Sequence, residues 1–515
     1  MTMSVFSWVV CLTLAGCATL PTDFERTVSH AYPPAPDLLA DEGFRRNLDA
    51  HPDQSGYYLL ENGLDAFVAR AVLANRATQG IDAQYYLYHN DLTGTLFTDL
   101  LLKAANRGVR IRLLVDDMGA EGRDQMAAVF DSHPNVEVRI FNPFSRSAPR
   151  ATQYVTGFGK VTRRMHNKTF TVDNQISILG GRNIGDEYFD AGHDLVFSDL
   201  DALVMGPLVP EISRSFDLYW NHELSYPISA LNTESVTPEQ MAVARDQLVS
   251  FVEEQRDSSY LRALRDSELA RQLRNDKVEV YWGDAKVVYD HPEKLLTEQD
   301  NDKYHIAPAL RDYFKGVGNE LVIISPYFVP GKRGATLLED LAGRGVRVRV
   351  LTNSLAATDV AVVHAGYARY RRRLLRAGVE IYEADNKARV AHKGSPRLKG
   401  YSKASLHTKS FIFDRKHVFI GSLNLDPRSL RENTEIGLLL DSTTVAGEML
   451  EWFDDYTGNQ AFKVSLVRND RGFDQLNWVR ETGSDPKVWI TEPHSSLWLR
   501  ISIGLMRWLP LESQL

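Results

Sequence analysis

"RRMHNKTFTVD" (Arg163–Asp173) and "SLHTKSFIFD" (Ser405–Asp414) carry the same three residues at the same spacing. His166, Lys168 and Asp173 in the first stretch return as His407, Lys409 and Asp414 in the second. A single such triplet is weak information, so the surroundings decide. "ANRGVRIRLLVDD" (Ala105–Asp117) matches "AGRGVRVRVLTNS" (Ala342–Ser354) at seven of thirteen positions, and "FDLY" at Phe216 returns as "FDDY" at Phe453. The order of these markers is kept. The chain is therefore a duplication of one domain of about 170 residues, not a many-membered repeat array.

Each copy reads as α/β. "IDAQYYLYH" (Ile81–His89) is a strand, "TLFTDLLLKAANRG" (Thr95–Gly108) a helix closed by glycine, and "VRIRLLVDD" (Val109–Asp117) the next strand. "ELVIISPYFV", "ATLLEDLAGRG" and "VRVRVLTNS" repeat the plan from Glu320 to Ser354. Alternating strands and helices predict largely parallel central strands covered on both faces. The expected division is 1–16 signal peptide, 17–54 tether, 55–222 first copy, 223–277 polar helical linker, 278–462 second copy and 463–515 tail.

Side chains two apart on a strand share a face, so His166 projects with Lys168 and His407 with Lys409. Asp173 and Asp414 fall at the turns of two expected hairpins, "TFTV-DNQ-ISIL" and "SFIF-DRK-HVFI", better placed to fix the turn than to touch substrate. Each hairpin leads into a small-residue bend and an asparagine: "GGRN" (Gly180–Asn183) and "GSLN" (Gly421–Asn424). Backbone at Gly181 and Ser422 lies close to any bound anion, and the amides of Asn183 and Asn424 are donors for its oxygens. One His, one Lys and one Asn per copy make half of a phosphoryl site. Ser145–Val172 contains no Asp or Glu and six Lys or Arg, and Asn386–Phe413 no acid and seven bases. Clearing carboxylates from both segments in a chain of net charge -8 builds local positive potential. Glu435 opens "EIGLLLD", with Asp201 opening "DALVMG" as its expected counterpart and Asp199 as the near alternative; such a carboxylate holds an imidazole by its second nitrogen.

The composition excludes several classes. With 43% hydrophobic and 24% charged residues over 515 positions the chain is globular, and its acidic balance argues against a general nucleic-acid binder. Cys11 and Cys17 are the only cysteines, so disulfides and Cys-ligated zinc are excluded beyond the N-terminus. His89, His193, His291 and His364 fit no metal-ligand spacing, and no P-loop, dinucleotide fingerprint or nucleophile elbow is present. "MTMSVFSWVVCLTLAGC" is an apolar run of signal-peptide length, and "LAGC" (Leu14–Cys17) resembles a bacterial lipobox that makes Cys17 the lipidated first residue.

The doubled H-x-K-x4-D, each followed by G-G/S-x-N, resembles the phospholipase D superfamily, and within it the bacterial cardiolipin synthases. The resemblance runs from about Tyr57 to Gly458. It implies two duplicated α-β-α lobes packed as one pseudo-twofold globule, with one site at the lobe interface and neither metal nor cofactor. It counts His166, Lys168, Asp173, His407, Lys409 and Asp414 as the catalytic motif and assigns Asn183, Asn424, Gly181 and Ser422 to the phosphate. It makes His166 the nucleophile and His407 the acid and base, an order the residues alone leave open. The implied reaction is phosphatidyl transfer, making cardiolipin from phosphatidylglycerol and a second phospholipid. Phospholipid hydrolysis, a nuclease and a non-catalytic anionic-lipid scaffold are the alternatives. The expected partners are phospholipids and a membrane, with no nucleic acid. The tail "SLWLRISIGLMRWLPL" (Ser496–Leu511) is too short and charged to span a bilayer and suits its interface. Cys17→Ser is expected to abolish lipid attachment and leave an uncleaved precursor; processing and release like the parent would overturn the lipobox reading.

Overall fold

A computed structural model describes residues 19–34 and 48–506, apart from 121, 158, 193–194, 233, 276, 299–300, 388–402 and 481–485. Cys17 lies outside the described residues. The N-terminal copy contributes β1 (Ser55–Leu60), β2 (Gly80–Tyr85), β3 (Arg110–Asp116), β4 (Val136–Phe141), β5 (Thr169–Val172), β6 (Ile176–Gly180), β7 (Leu195–Ser198), β8 (Asp201–Met205) and β9 (Ser225–Pro227). The C-terminal copy contributes β10 (Tyr281–Tyr289), β11 (Glu320–Ile324), β12 (Arg347–Asn353), β13 (Glu380–Ala384), β14 (Lys403–Leu406), β15 (Ser410–Phe413), β16 (His417–Gly421), β17 (Ile436–Asp441) and β18 (Ala461–Arg468).

Only part of each sheet is parallel. β2, β3 and β4 run parallel, but β2 then pairs antiparallel with β5, and β5, β6, β8 and β1 continue antiparallel. β11, β12 and β13 are parallel in the same way, followed antiparallel by β15, β16, β17 and β10. The hairpins that carry the motifs, β5–β6 and β15–β16, are antiparallel because a tight two-residue connection can only join antiparallel strands. β1 pairs with β10, Ser55 opposite Gly283, which joins the two sheets edge to edge.

The helices start where capping side chains satisfy free N–H groups. Asn62 caps Gly63–Arg76 and Asp91 caps Leu92–Asn106, while Gly108 beyond it takes φ +97°. Each lobe has its own outer core. A third core is shared: Leu179, Ala202 and Val204 from one lobe pack in one cluster with Val322, Ile412, Ile420 and Leu438 from the other. That shared apolar layer fixes how the lobes face each other.

Three expected boundaries move. Residues before the first strand are no free tether: Ser29 O accepts from the buried Arg112, Thr27 O from Arg139, and Tyr32 lies under the Arg110 guanidinium. Buried guanidiniums need acceptors that the sheet has already spent, and this segment supplies them. The linker is partly core, since Tyr260, Ala263 and Leu269 are buried in the N-terminal lobe, although Pro238–Gln255 buries nothing. The tail is also structured, with β19 (Asp474–Arg480) and β20 (Lys487–Trp489) extending the sheet beyond β18 and a helix following at Leu497–Met506. No helix among the described residues is long and apolar enough to cross a membrane.

The motif aspartates end in the scaffold. Asp173 and Asn174 take φ 51° and 53°, and Asp414 and Arg415 take 51° and 57°, the left-handed pair of a two-residue hairpin turn. The Asp173 carboxylate accepts from Thr78 N, Thr78 Oγ1, Gln79 N and Gly80 N, pinning the entry to β2. Asp414 does the same for Gly318 N, Asn319 N and Glu320 N before β11. Their grouping with the catalytic residues is thus corrected: these carboxylates align β5 with β2 and β15 with β11. Asp173→Ala removes a buried carboxylate with four donors and is expected to cost about 3 kcal/mol, Asp414→Ala about 1–2 kcal/mol because its carboxylate is half-buried and water can reach the donors it leaves. Urea unfolding of both variants measures the difference.

Candidate active site

Each histidine begins beside the strand that carries it and is clipped to the opposite lobe by backbone. His166 N donates to Thr434 O at 2.9 Å, and Met165 bridges Thr434 in parallel. His407 N donates to Ser198 O at 2.8 Å, where β14 runs parallel to β7 with Leu406 opposite Ser198. The next residue of each partner segment is a carboxylate. Glu435 Oε2 lies 2.9 Å from His166 Nδ1, and Asp199 Oδ2 lies 2.5 Å from His407 Nδ1. With Nδ1 of both rings engaged, Nε2 is the free nitrogen on each. Lys168 Nζ donates to His166 O and Lys409 Nζ to His407 O, both at 2.6 Å. Tyr86 stands edge-on to His166 at 5.0 Å, and Tyr188 edge-on to His407 at 5.3 Å.

The counterpart of Glu435 is Asp199, and Asp201 is corrected out of the site. Gly180 pairs with Asp201 and Gly421 with Gly437, so two residues before each partner stand Asp199 and Glu435. A two-residue shift keeps the same face of the strand, so alternation alone could not separate the acids. Asp201 forms a buried pair with Arg70 at 2.9 Å.

Gly181 and Ser422 serve the carboxylates. A Cβ at Gly181 would fall 2.1 Å from Asp199 Oδ1, so glycine makes room for the acid. The Ser422 hydroxyl donates to Glu435 Oε2. Asn183 is committed to its loop, accepting from Leu87 N at 3.1 Å and donating to Tyr188 Oη at 2.9 Å. Asn424 differs, its buried Oδ1 having no partner.

Sequence reasoning missed Asp116, at the end of β3, which accepts from Met165 N at 2.9 Å and pairs with Arg164 at 3.1 Å. It also missed Arg428, whose Nη2 donates across the interface to Thr162 O. The Asp116 signal was present in "VDD"; Arg428 had none, because its neighbours come from the other lobe.

The two pairs differ electrically. Burial, then the charges of Lys168 and Lys409, hold His166 well below the usual histidine range. Burial pushes Glu435 up to about 7. His407 is also lowered by burial and Lys409, against the pull of Asp199. Burial works to raise Asp199, but His407 and Lys409 outweigh it and hold it low. Burial brings Lys168 down to about 7 and lowers Lys409. Both imidazoles are lowered, one beside an acid that burial has pushed up and the other beside an acid that its cations hold low.

A family model described as "Cardiolipin synthase, PLD-like domain" matches residues 72–220 and 310–457, one match per copy. The chain is 40% identical to cardiolipin synthase C of Escherichia coli K12, over 90% of this chain and 96% of that one. The chain belongs to the phospholipase D-like cardiolipin synthase family. An uncharacterized Helicobacter pylori J99 protein is 34% identical over 83% of this chain and 84% of its own length. Among solved structures, phosphatidylserine synthase of Haemophilus influenzae Rd KW20 shares the fold, with TM-score 0.55 at 12% identity over 81% of this chain and 91% of that one.

The exchanged acids give a direct test within this family member. Asp199→Asn is expected to lower kcat by about 10²–10⁴-fold while the fold persists, because the imidazolium loses its counter-charge. Asp201→Asn is expected to lower thermal stability through Arg70 and leave turnover per folded molecule within a few-fold. Equal kinetic losses would return Asp201 to the site.

Proposed function

We propose that the chain transfers a phosphatidyl group between phospholipids, making cardiolipin from phosphatidylglycerol and a second phospholipid. The observation that carries this is the pair of unlike imidazole–carboxylate contacts brought together from two lobes. A covalent two-step transfer needs one neutral imidazole to attack and one protonated imidazole to assist departure.

His166, with Nδ1–H donating to Glu435, presents the Nε2 lone pair to phosphorus. As the N–P bond forms, the P–O bond to glycerol breaks, and His407 gives its Nε2 proton to the departing oxygen. His407, now neutral, takes the proton from the hydroxyl of the second phospholipid. That oxygen attacks phosphorus, the N–P bond breaks, and His166 is restored with glycerol as the only by-product. Asp199 stabilises the imidazolium of His407 through Nδ1. Burial lowers Lys168 to about 7 and lowers Lys409, and an incoming phosphate opposes that shift, so their field strengthens where negative charge develops on its oxygens. Asn424, with an unspent carboxamide oxygen, suits a donor hydroxyl of substrate.

The helix Leu497–Met506 favours work at a lipid surface. Ile503 is buried against Leu355 and Ala365, while Trp498 is 80% and Leu505 68% exposed on its outer side. One docked face and one bare apolar face with a tryptophan suit the bilayer interface. A lipidated Cys17 would hold the protein there.

With labelled phosphatidylglycerol in vesicles the expected product is cardiolipin; phosphatidic acid alone would replace transfer by hydrolysis. His407→Ala is expected to trap a phosphohistidine from a phosphodiester with a good leaving group, since such a group departs unprotonated. His166→Ala is expected to lose adduct and turnover together, and the double variant to be scarcely worse. Intact mass after a short incubation reads all three. The reverse pattern exchanges the two roles, and full activity in either single variant would refute a shared site.

A further inference from the structure

The N-terminal lobe holds an apolar-walled cavity, partly open to solvent, that the transfer chemistry does not use. Its floor is made by Leu113 and Val115 of β3 and Val138 and Ile140 of β4, and one wall by Met126 and Phe130 of the helix Asp124–Asp131. That helix covers the sheet loosely. Only its Ala128 is buried, and Met126 remains 48% exposed. His89, Asn90, Thr98 and Arg123 are polar groups in its lining. A cavity with such walls holds no ordered water well and favours an apolar guest.

The remaining wall is Tyr88 with Gly119 and Ala120, at the carboxyl ends of the parallel strands. Tyr88 belongs to the segment that carries Tyr86, whose ring stands against His166. Gly119 lets the chain approach this segment closely, because a Cβ there would lie 3.1 Å from Leu87 Cα and 3.3 Å from Tyr86 O. Cavity and His166 therefore border the same short stretch of backbone, Tyr86–Tyr88. In a phosphatidyl group only a glycerol unit separates the phosphorus from its acyl chains.

We propose that this cavity takes one acyl chain of the phosphatidyl donor. The inference rests on the phosphatidyl-transfer reading and adds the place where the donor's apolar part is held. An acyl chain meets the walls along its length, and the guanidinium of Arg123, already bound to Tyr88 O, marks the polar edge where ester oxygens begin. Each methylene brought out of water contributes about fourfold to binding, so chain length becomes a determinant of rate.

The test has two arms. Vesicles of phosphatidylglycerol bearing a photoactivatable diazirine on one acyl chain are irradiated with the full-length protein, and labelled peptides are mapped. Label is expected on the segments containing Leu113, Val115, Met126, Phe130, Val138 or Ile140; label confined elsewhere overturns the proposal. In the second arm Ala127→Trp fills the cavity, with Ala120→Phe as the second variant should the first lose its folded thermal transition. The ratio of variant to parent rate is measured with dihexanoyl and dioleoyl phosphatidylglycerol. The dioleoyl ratio is expected to fall at least about tenfold below the dihexanoyl ratio. Equal ratios overturn the acyl site even if transfer proceeds. Absence of cardiolipin from either substrate in the parent protein would instead count against phosphatidyl transfer, while the labelling arm still judges the cavity.

Discussion

Each lobe supplies the carboxylate for the other lobe's histidine. Glu435 holds His166 and Asp199 holds His407, and in both cases the preceding residue binds the backbone of the same histidine strand. The consequence is structural as well as chemical. Neither lobe can complete its own imidazole–acid pair, so the site exists only when the shared apolar layer has set the lobes in register. The Asp173 and Asp414 clamps work one level further out. They fix the hairpins against the parallel strands and so fix the lysines and histidines at the hairpin roots.

Burial of these groups has a cost, and the arrangement limits it. Two imidazoles, two lysines and two acids buried at one interface would be unfavourable as isolated ions. The Nδ1–carboxylate contacts and the lysine bonds to the histidines' own carbonyls give most of them a partner before substrate arrives. What remains unsatisfied is positive field and a neutral nitrogen, the complement of a phosphodiester entering the gap.

Much of this was legible in the residues. Two identical spacings disclosed the duplication, and the strand period placed each lysine with its histidine. The two hairpins were read correctly from their turn residues, but how β5 and β15 run against β2 and β11 was not legible, since the apolar pattern is the same in either direction. Asp201 was mistaken for Asp199 for a related reason, since a slip of two residues preserves facing and only the sheet register distinguishes them. Gly181 and Ser422 looked like phosphate contacts because a small residue beside an anion site admits backbone or side-chain acid equally well, and here it admits the acid. Arg428 was out of reach, since its effect comes from Thr162 across the interface.

Duplication sets a further problem: a two-step transfer needs two histidines that are alike in position and unlike in charge. The differences lie in what surrounds each acid. Asp199 receives His407, Lys409 and Arg182, and these cations hold it ionised despite its burial. Glu435 shares its buried surroundings with Asp426, pushed by burial up to about 7, and Asp290, pushed up to about 6. Acids crowded together out of water suppress one another's ionisation, so the charge offered to His166 is weaker than that offered to His407. The bends below follow suit, glycine leaving space for the short aspartate and serine donating to the longer glutamate. A symmetric scaffold thus acquires a difference between its two halves: burial and the flanking lysines lower His166, and the acid beside it is itself pushed up by burial, whereas the acid beside His407 is held ionised.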